Sequence, residues 1–383
     1  MQPKKIGQDR APSAPTRHLA ASRAKVPFQT PAADGFAIGG LLWDHGGGPG
    51  ANPIVVIAPA TSVRCDYYAR FADFLFESGF DVVTFDYRGI GRSRPPSLRG
   101  FRADWADWGE SDLEAVLNYT GERPVMLVAH SIGAFLAGLA PSNTRFQRLL
   151  FVGGQYAYWR DYAPAERWKM YLKWHVAMPL ATRVFGYFPG ARLGWIEDTP
   201  AGVVRDWTRM TDAFEKTLRS ETFIGGERVS ELFLRRFRNV TAPILSIGLE
   251  DDAFGTPPAL ERLLAYFGAS QRTHWRIAPR DLGAGSIGHF AFFHSCFRDS
   301  LWPLALDWLR EAEIAPSAPG RLFSNVAPRG GPNESQSSVR GRDPARGLDS
   351  RRRDPATSKA CGGPGAALDG FWVSPGRPKT PDA

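Results

Sequence analysis

Residues 125–140 read VMLVAHSIGAFLAGLA: an apolar run, then Ala-His-Ser-Ile-Gly, then a stretch of small and apolar residues. The run at 125–129 is expected to form a buried strand and 132–140 the helix after it, which sets Ser131 on the turn between them. A strand-to-helix turn this sharp needs small residues two positions before and after the turning residue. Ala129 and Gly133 supply them, and the turn lifts the Ser131 hydroxyl above the sheet. Ile132 opens the helix, so its backbone N–H has no helical acceptor and can face a developing oxyanion. In a chain with 40 glycines a small-x-Ser-x-small pattern also arises by chance. The partners of Ser131 decide its reading.

A serine nucleophile needs a base, and the base needs a carboxylate to orient it. Downstream lies APILSIG at 242–248, a short buried strand, followed by Leu249, Glu250, Asp251 and Asp252. Further on, Gly285-Ser286-Ile287-Gly288-His289-Phe290 forms a glycine-flanked loop histidine. The chain order Ser, Asp, His, each at or beyond the C-terminal end of an expected strand, places the three where open α/β sheets bind ligands.

Upstream, an expected strand at 54–58 leads into Pro59-Ala60-Thr61-Ser62 and an amphipathic helix near 67–78. A strand at 81–85 then ends in Asp86-Tyr87-Arg88-Gly89-Ile90-Gly91-Arg92-Ser93. These motifs resemble the α/β-hydrolase family: D-x-R-G-x-G-x-S after the fourth strand, the serine turn after the fifth, G-x-x-D after the seventh and G-H after the eighth. They span residues 59–290 in the family's order. DYRGIG, AHSIGA, GLEDDAFGTP and IGHFAFF are similar to a bacterial subgroup of predicted serine hydrolases of esterase or lipase type.

The resemblance implies a mostly parallel, doubly wound sheet with a helical cap inserted after the sixth strand. It also implies Ser131 as nucleophile, His289 as base and an aspartate as orienting acid. Counting three from Gly248 in the G-x-x-D pattern selects Asp251, with Asp252 a neighbour that caps or hydrates the loop. His274 sits within an expected strand and His294 in an aromatic run, which leaves His289 as the base. The family's His-Gly after the third strand is replaced here by Pro59-Ala60, and Ala129 replaces the glycine that opens the serine turn. The oxyanion donors are then the N–H groups of Ile132 and Thr61. The Asp86–Ser93 segment is expected to be structural.

Other readings of the same residues fail on local chemistry. Gly89-Ile90-Gly91 begins a dinucleotide fingerprint, but Arg94 stands where the third glycine belongs and two prolines follow. No helix N-terminus forms there to hold a pyrophosphate. The glycine-rich stretch at 46–50 precedes a strand and lacks Lys-Ser/Thr, so it is expected to be a hairpin turn. His130 points away from its neighbour Ser131 and suits a pocket wall. Cys65, Cys296 and Cys361 are far apart and odd in number, which argues against a disulfide framework and suits a reducing compartment. No metal-ligand spacing is present, and neither metal nor organic cofactor is expected.

The net charge of +8 belongs to the ends. Residues 1–30 carry six Lys/Arg and one acid, and residues 316–383 carry eleven and six. That leaves 30 basic and 32 acidic residues for 31–315, too balanced for a nucleic-acid binder. The segment 1–30 is expected as a disordered basic extension with no secretory h-region, and 316–383 as a disordered tail rich in Pro, Gly and Arg. An Arg-rich, acid-poor start also fits a transit peptide. No run spans a membrane, and a cytoplasmic location is expected.

The core is expected over 31–153 and 238–315. Between them, 154–237 holds thirteen aromatic rings from Tyr156 to Phe214 alone and a helical pattern broken at Pro179, Pro189-Gly190 and Pro200. This is the expected cap, with several rings lining an apolar acyl pocket. The activity implied is hydrolysis of a carboxylic ester or thioester of a small acyl substrate. Two alternatives are an acyltransferase with the same triad and a catalytically silent binding protein on this fold. A serine-directed phosphonate probe separates the last from the first two.

Overall fold

The computed structural model describes residues 23–46 and 52–324. Nine strands form one sheet: β1 (Arg23–Pro31), β2 (Ala37–Asp44), β3 (Ile54–Ala58), β4 (Asp81–Phe85), β5 (Val125–His130), β6 (Phe146–Val152), β7 (Ile244–Leu249), β8 (Arg272–Ile277) and β9 (Arg321–Ser324). Their order is β1-β2-β4-β3-β5-β6-β7-β8-β9. The six strands β3 to β8 run parallel, while β1, β2 and β9 add antiparallel edges. Strands β3, β4, β5 and β7 are buried at every position, as a sheet covered on both faces requires.

The helices are α1 (Ala69–Glu77), α2 (105–119), α3 (Ile132–Leu139), α4 (167–185), α5 (Ala201–Arg209), α6 (Val229–Asn239), α7 (Pro257–Leu264) and α8 (Leu301–Glu311). Alternation along the strands divides the core in two. Val55, Ile57, Val128 and Leu150 pack with α1 and α8 on one face. Ile54, Val56, Leu127 and Phe151 pack with α2, α3, α6 and the cap on the other. The fold is the α/β-hydrolase arrangement expected from the motifs.

Several boundaries differ from the sequence expectation. Residues 23–30, expected in the basic extension, belong to β1, and 321–324, expected in the tail, form the edge strand β9. Residues 1–22 and 325–383 lie outside the described residues. The expected hairpin at 46–50 overlaps the undescribed residues 47–51, and the strands on either side of it are not partners, because β4 lies between β2 and β3. The β1–β2 hairpin turns instead at Ala32 and Gly35, where the Gly35 N–H donates to the Ala32 carbonyl (2.8 Å).

The expected cap also ends too late. Helix α6 lays the Phe237 ring on Gly138 of α3, where any added Cβ would overlap it. It therefore belongs to the crossover into β7. Within the cap, Pro179 does not break the helix. Helix α4 runs as α over Arg167–Tyr171, as a π turn over Leu172–Ala177 and as α again over Met178–Phe185. The wide turn just before Pro179 is the local adjustment that takes up its ring and its missing N–H.

Candidate active site

Strand β5 ends at His130, and Ser131 takes φ 56° and ψ −119° before α3 begins. A non-glycine residue at this φ is strained and is held by its surroundings. Its N–H donates to the Val152 carbonyl (3.0 Å), and its own carbonyl accepts from the N–H of Gln155 (3.3 Å). The turn needs Gly133, since a Cβ there would stand 2.6 Å from the Ala58 oxygen and 3.0 Å from the Pro59 oxygen. Helix α3 thus approaches the end of β3 closely and brings Ile132 beside the Pro59–Ser62 loop.

Ser131, Ile132, Thr61 and His289 line a single cavity of about 320 Å³, a figure that includes space open to solvent at its mouth. The other walls are Ala60, Trp105, Gln155, Ala157, Trp207, Phe254 and Phe290. The lining is mainly apolar and holds no carboxylate. Trp105 Nε1 is buried with no hydrogen-bond partner among the described residues. Of the thirteen aromatic rings expected in the cap, only Trp207 reaches this cavity. The remaining aromatic walls come from α2 and from the loops after β7 and β8, while other cap rings pack on the core or on one another, as Tyr156 and Phe214 do on Phe135. Trp174 stacks on Trp207 at 5.0 Å and 19°.

The acid beside His289 is Asp252, which corrects the expectation of Asp251. Nδ1 of His289 lies 2.7 Å from Oδ2 of Asp252. The second oxygen of Asp252 accepts the N–H groups of Phe254 and Gly255, each at 2.8 Å. The carboxylate is fully buried and anchored on one side, so its other oxygen is aimed at the imidazole. Asp251 instead accepts the N–H of Ile287 (2.7 Å) and pins the loop that carries His289. The register slips by one because β7 continues through Leu249 and a turn closes from the Asp252 N–H to the Leu249 carbonyl (3.1 Å). Gly153 leaves room for the pair: a Cβ there would meet Asp252 Oδ2 at 2.9 Å and His289 Cε1 at 3.0 Å.

The Pro59–Ser62 loop has no glycine, and its left-handed residue is Ser62 (φ 57°). The cap holds Ser62 in place, through Thr199 Oγ1 on its hydroxyl (2.6 Å) and the Glu197 N–H on its carbonyl (3.2 Å). A second tie runs through the core. The Ala60 N–H donates to Tyr68 Oη (2.9 Å), Tyr68 Oη lies 2.8 Å from His130 Nδ1, and His130 Nε2 lies 2.8 Å from the His289 carbonyl. A carbonyl only accepts, so His130 carries its proton on Nε2. Burial, reinforced by His289 nearby, pushes its pKa well below the ordinary imidazole range and keeps it neutral. Nδ1 therefore accepts the Tyr68 hydroxyl proton. The chain of bonds has one polarity and joins the Thr61 loop to the His289 loop.

Sequence reading missed Gln155. Its Oε1 accepts the N–H of Ala157, which turns Nε2 toward Ser131 Oγ at 3.3 Å. Its only signal was its place, just past the C-terminal end of β6. The rivals of His289 are elsewhere: His274 is buried in β8, and His294 Nε2 lies 3.0 Å from Tyr67 Oη. The Asp86–Ser93 segment is a scaffold. Buried Asp86 accepts the N–H groups of Cys65 (2.6 Å) and Arg92 (2.8 Å), and Arg88 joins Asp112 and Asp34.

Among solved structures, the chain is similar to a soluble variant of monoglyceride lipase from Saccharomyces cerevisiae, at 15% identity and a TM-score of 0.49 over 77% of this chain and 100% of that one. It is also similar to an esterase from Pyrococcus furiosus, at 14% identity and a TM-score of 0.47 over 75% and 90%. A thioesterase domain from the curacin biosynthetic pathway matches at 15% identity and a TM-score of 0.40 over 67% and 94%. A family model described as serine aminopeptidase, S33 matches residues 50–276, more than half of the chain, and the protein belongs to this family of α/β-hydrolases.

Proposed function

We propose that the protein is a serine hydrolase that cleaves carboxylic esters or thioesters of apolar acyl groups through an acyl-enzyme. The observation that carries this reading is the strained, buried Ser131 sharing one cavity with His289, whose Nδ1 is tied to a carboxylate. With Nδ1–H donated to Asp252, His289 presents an unprotonated Nε2, the form a general base needs. Ser131 Oγ attacks the acyl carbon while its proton passes to His289 Nε2. The tetrahedral oxyanion rests on the N–H groups of Ile132 and Thr61. Collapse expels the alcohol or thiol, which takes the proton back from His289. Water, deprotonated by the same nitrogen, then releases the acid and restores Ser131.

Ile132, Ala157, Trp207, Phe254 and Phe290 give the cavity apolar walls, which supports an apolar acyl group. A lining without a carboxylate favours esters over substrates with a free α-ammonium, because a buried cation needs a partner. Two assays test the reading: fluorophosphonate labelling, and hydrolysis of aryl esters of increasing acyl length beside aminoacyl anilides. Ser131→Ala is expected to lose labelling and to lower ester turnover by a factor on the order of 10⁴, with its thermal melting retained. Labelling that survives in Ser131→Ala overturns the assignment. Faster turnover of anilides than of esters overturns the substrate class.

A further inference from the structure

Helix α4 is apolar on two sides. Met170, Trp174, Met178 and Thr182 are buried against the rest of the molecule. On the outer side stand Trp168, Leu172, Val176, Leu180 and Val184, at steps of four residues and 66%, 59%, 38%, 61% and 73% exposed. A four-residue step drifts around a helix of 3.6 residues per turn. The π turn at Leu172–Ala177 holds more residues per turn and offsets part of that drift, which keeps the five side chains in one ladder. Scattered exposed apolar residues are ordinary, but five in line on one helix form a continuous patch.

The charges along the ladder are mainly positive. From residue 167 to residue 196 the chain carries Arg167, Lys169, Lys173, Arg183 and Arg192 and no Asp or Glu. Lys169 and Arg183 stand exposed on the ladder's own side. Glu166 reaches Lys169 at 3.4 Å across exposed positions, which leaves that cation largely available. The Lys173 ammonium lies 4.6 Å from the ring centres of Trp174 and Trp195.

We propose that α4 lays this ladder into the interfacial layer of an anionic lipid surface, with its cations meeting the headgroups. A helix with an apolar stripe bearing Trp and Leu and flanked mainly by cations is matched to that environment on both counts. A second copy of the chain fits less well, since two-fold pairing of this face would set cations against cations. Among the described residues no helix is long and apolar enough to cross a membrane, so the contact is a surface one. The inner side of α4 stays packed meanwhile, and docking requires no refolding of the cap.

The test is flotation of the full-length protein with vesicles of phosphatidylcholine alone or mixed with phosphatidylglycerol. The expected result is binding to the mixed vesicles and a loss of about tenfold or more in Leu172→Glu/Leu180→Glu, whose basic termini are untouched. The double variant Leu172→Ser/Leu180→Ser, checked by circular dichroism, gives the same loss if the first folds poorly. Quenching of tryptophan emission by brominated lipid is expected to fall in Trp168→Phe. Equal flotation of wild type and both double variants overturns the proposal. So does a concentration-dependent dimer, seen in sedimentation without lipid, that either double variant abolishes.

Discussion

The two walls of the cavity are built differently. The core wall places Ser131, Ile132, Thr61, His289 and Phe254 at the C-terminal ends of parallel strands or in the loops just beyond them, with Trp105 at the start of α2. The cap wall contributes Gln155, Ala157 and Trp207, although the stretch from Tyr156 to Phe214 holds thirteen rings. Strand ends in a covered parallel sheet are rigid and converge, so each reactive group there is held by backbone geometry. The cap spends its aromatic area on packing, as with Trp174 on Trp207, and only one ring is left to touch a ligand. Changes in the core wall are therefore expected to act on the chemical step, and changes in the cap on selectivity and stability.

The largest contrast lies between two adjacent acids. Asp252→Asn is expected to lower kcat by a factor on the order of 10³–10⁴ at neutral pH. The N–H groups of Phe254 and Gly255 would keep the amide oxygen on their side and turn the NH₂ toward His289 Nδ1. That forces the proton to Nε2 and removes the base. Asp251→Asn retains an oxygen for the Ile287 N–H and is expected to stay within tenfold of wild type. Kinetics of the two variants with one aryl ester check this. A greater loss in Asp251→Asn would break the assignment of the acid.

The same pair shows how far local sequence reaches. At the serine turn the geometry is local: a fully buried strand, small residues at 129 and 133, and a helix start leave Ser131 one place to go. Which of the two carboxylates meets His289 is decided by where β7 stops, and that depends on pairing with β8 through Leu249↔Ile277. No residue near Gly248 announces it. The mostly parallel sheet followed from the family resemblance that the motifs carry, whereas the reach of the cap and the edge strands β1 and β9 depended on tertiary partners. Tyr68 and His130, bonded to each other across 62 positions, reach the two loops through bonds to residues 8 and 159 positions away.

Tyr68→Phe sharpens the comparison inside the core wall. It leaves the Ala60 N–H and His130 Nδ1 without their shared partner while the ring still fills its site. Stability is expected to fall by about 1–3 kcal/mol, and kcat by about tenfold with KM little changed, since the bond chain positions loops and touches no substrate. Thermal melting and steady-state kinetics give the two readings. A change confined to KM would assign Tyr68 to ligand binding instead.

Trp207→Ala tests the cap wall. Its ring supplies binding area in ground and transition states alike, so KM is expected to rise more than kcat falls. The enlarged cavity should shift preference toward longer acyl chains. One buried ring carries ~2–3 kcal/mol of transfer free energy, enough for about a tenfold shift in relative kcat/KM across an acyl series. An unchanged length preference would mean the core wall alone sets the fit.

The smallest expected effect on catalysis belongs to Asp206, next to Trp207 in α5. Its carboxylate accepts the N–H of Trp105 (2.9 Å), which joins the cap to the core wall. Burial, reinforced by the nearby Asp104 charge, pushes its pKa up to about 7. An unfolded aspartate titrates near 4. Between about pH 4 and 7 the folded state therefore binds more protons than the unfolded one, and stability falls as pH rises through that window. Above it the fold holds a poorly solvated charge in full. Asp206→Asn keeps an oxygen for the Trp105 N–H and removes the charge. It is expected to leave stability at pH 4 nearly unchanged and to raise it at pH 8 by on the order of 1–4 kcal/mol, with ester turnover close to wild type. Melting curves at the two pH values check it. A variant destabilised at pH 8 would show that the charged form is the one the cap needs, and the cap-to-core link would then be electrostatic.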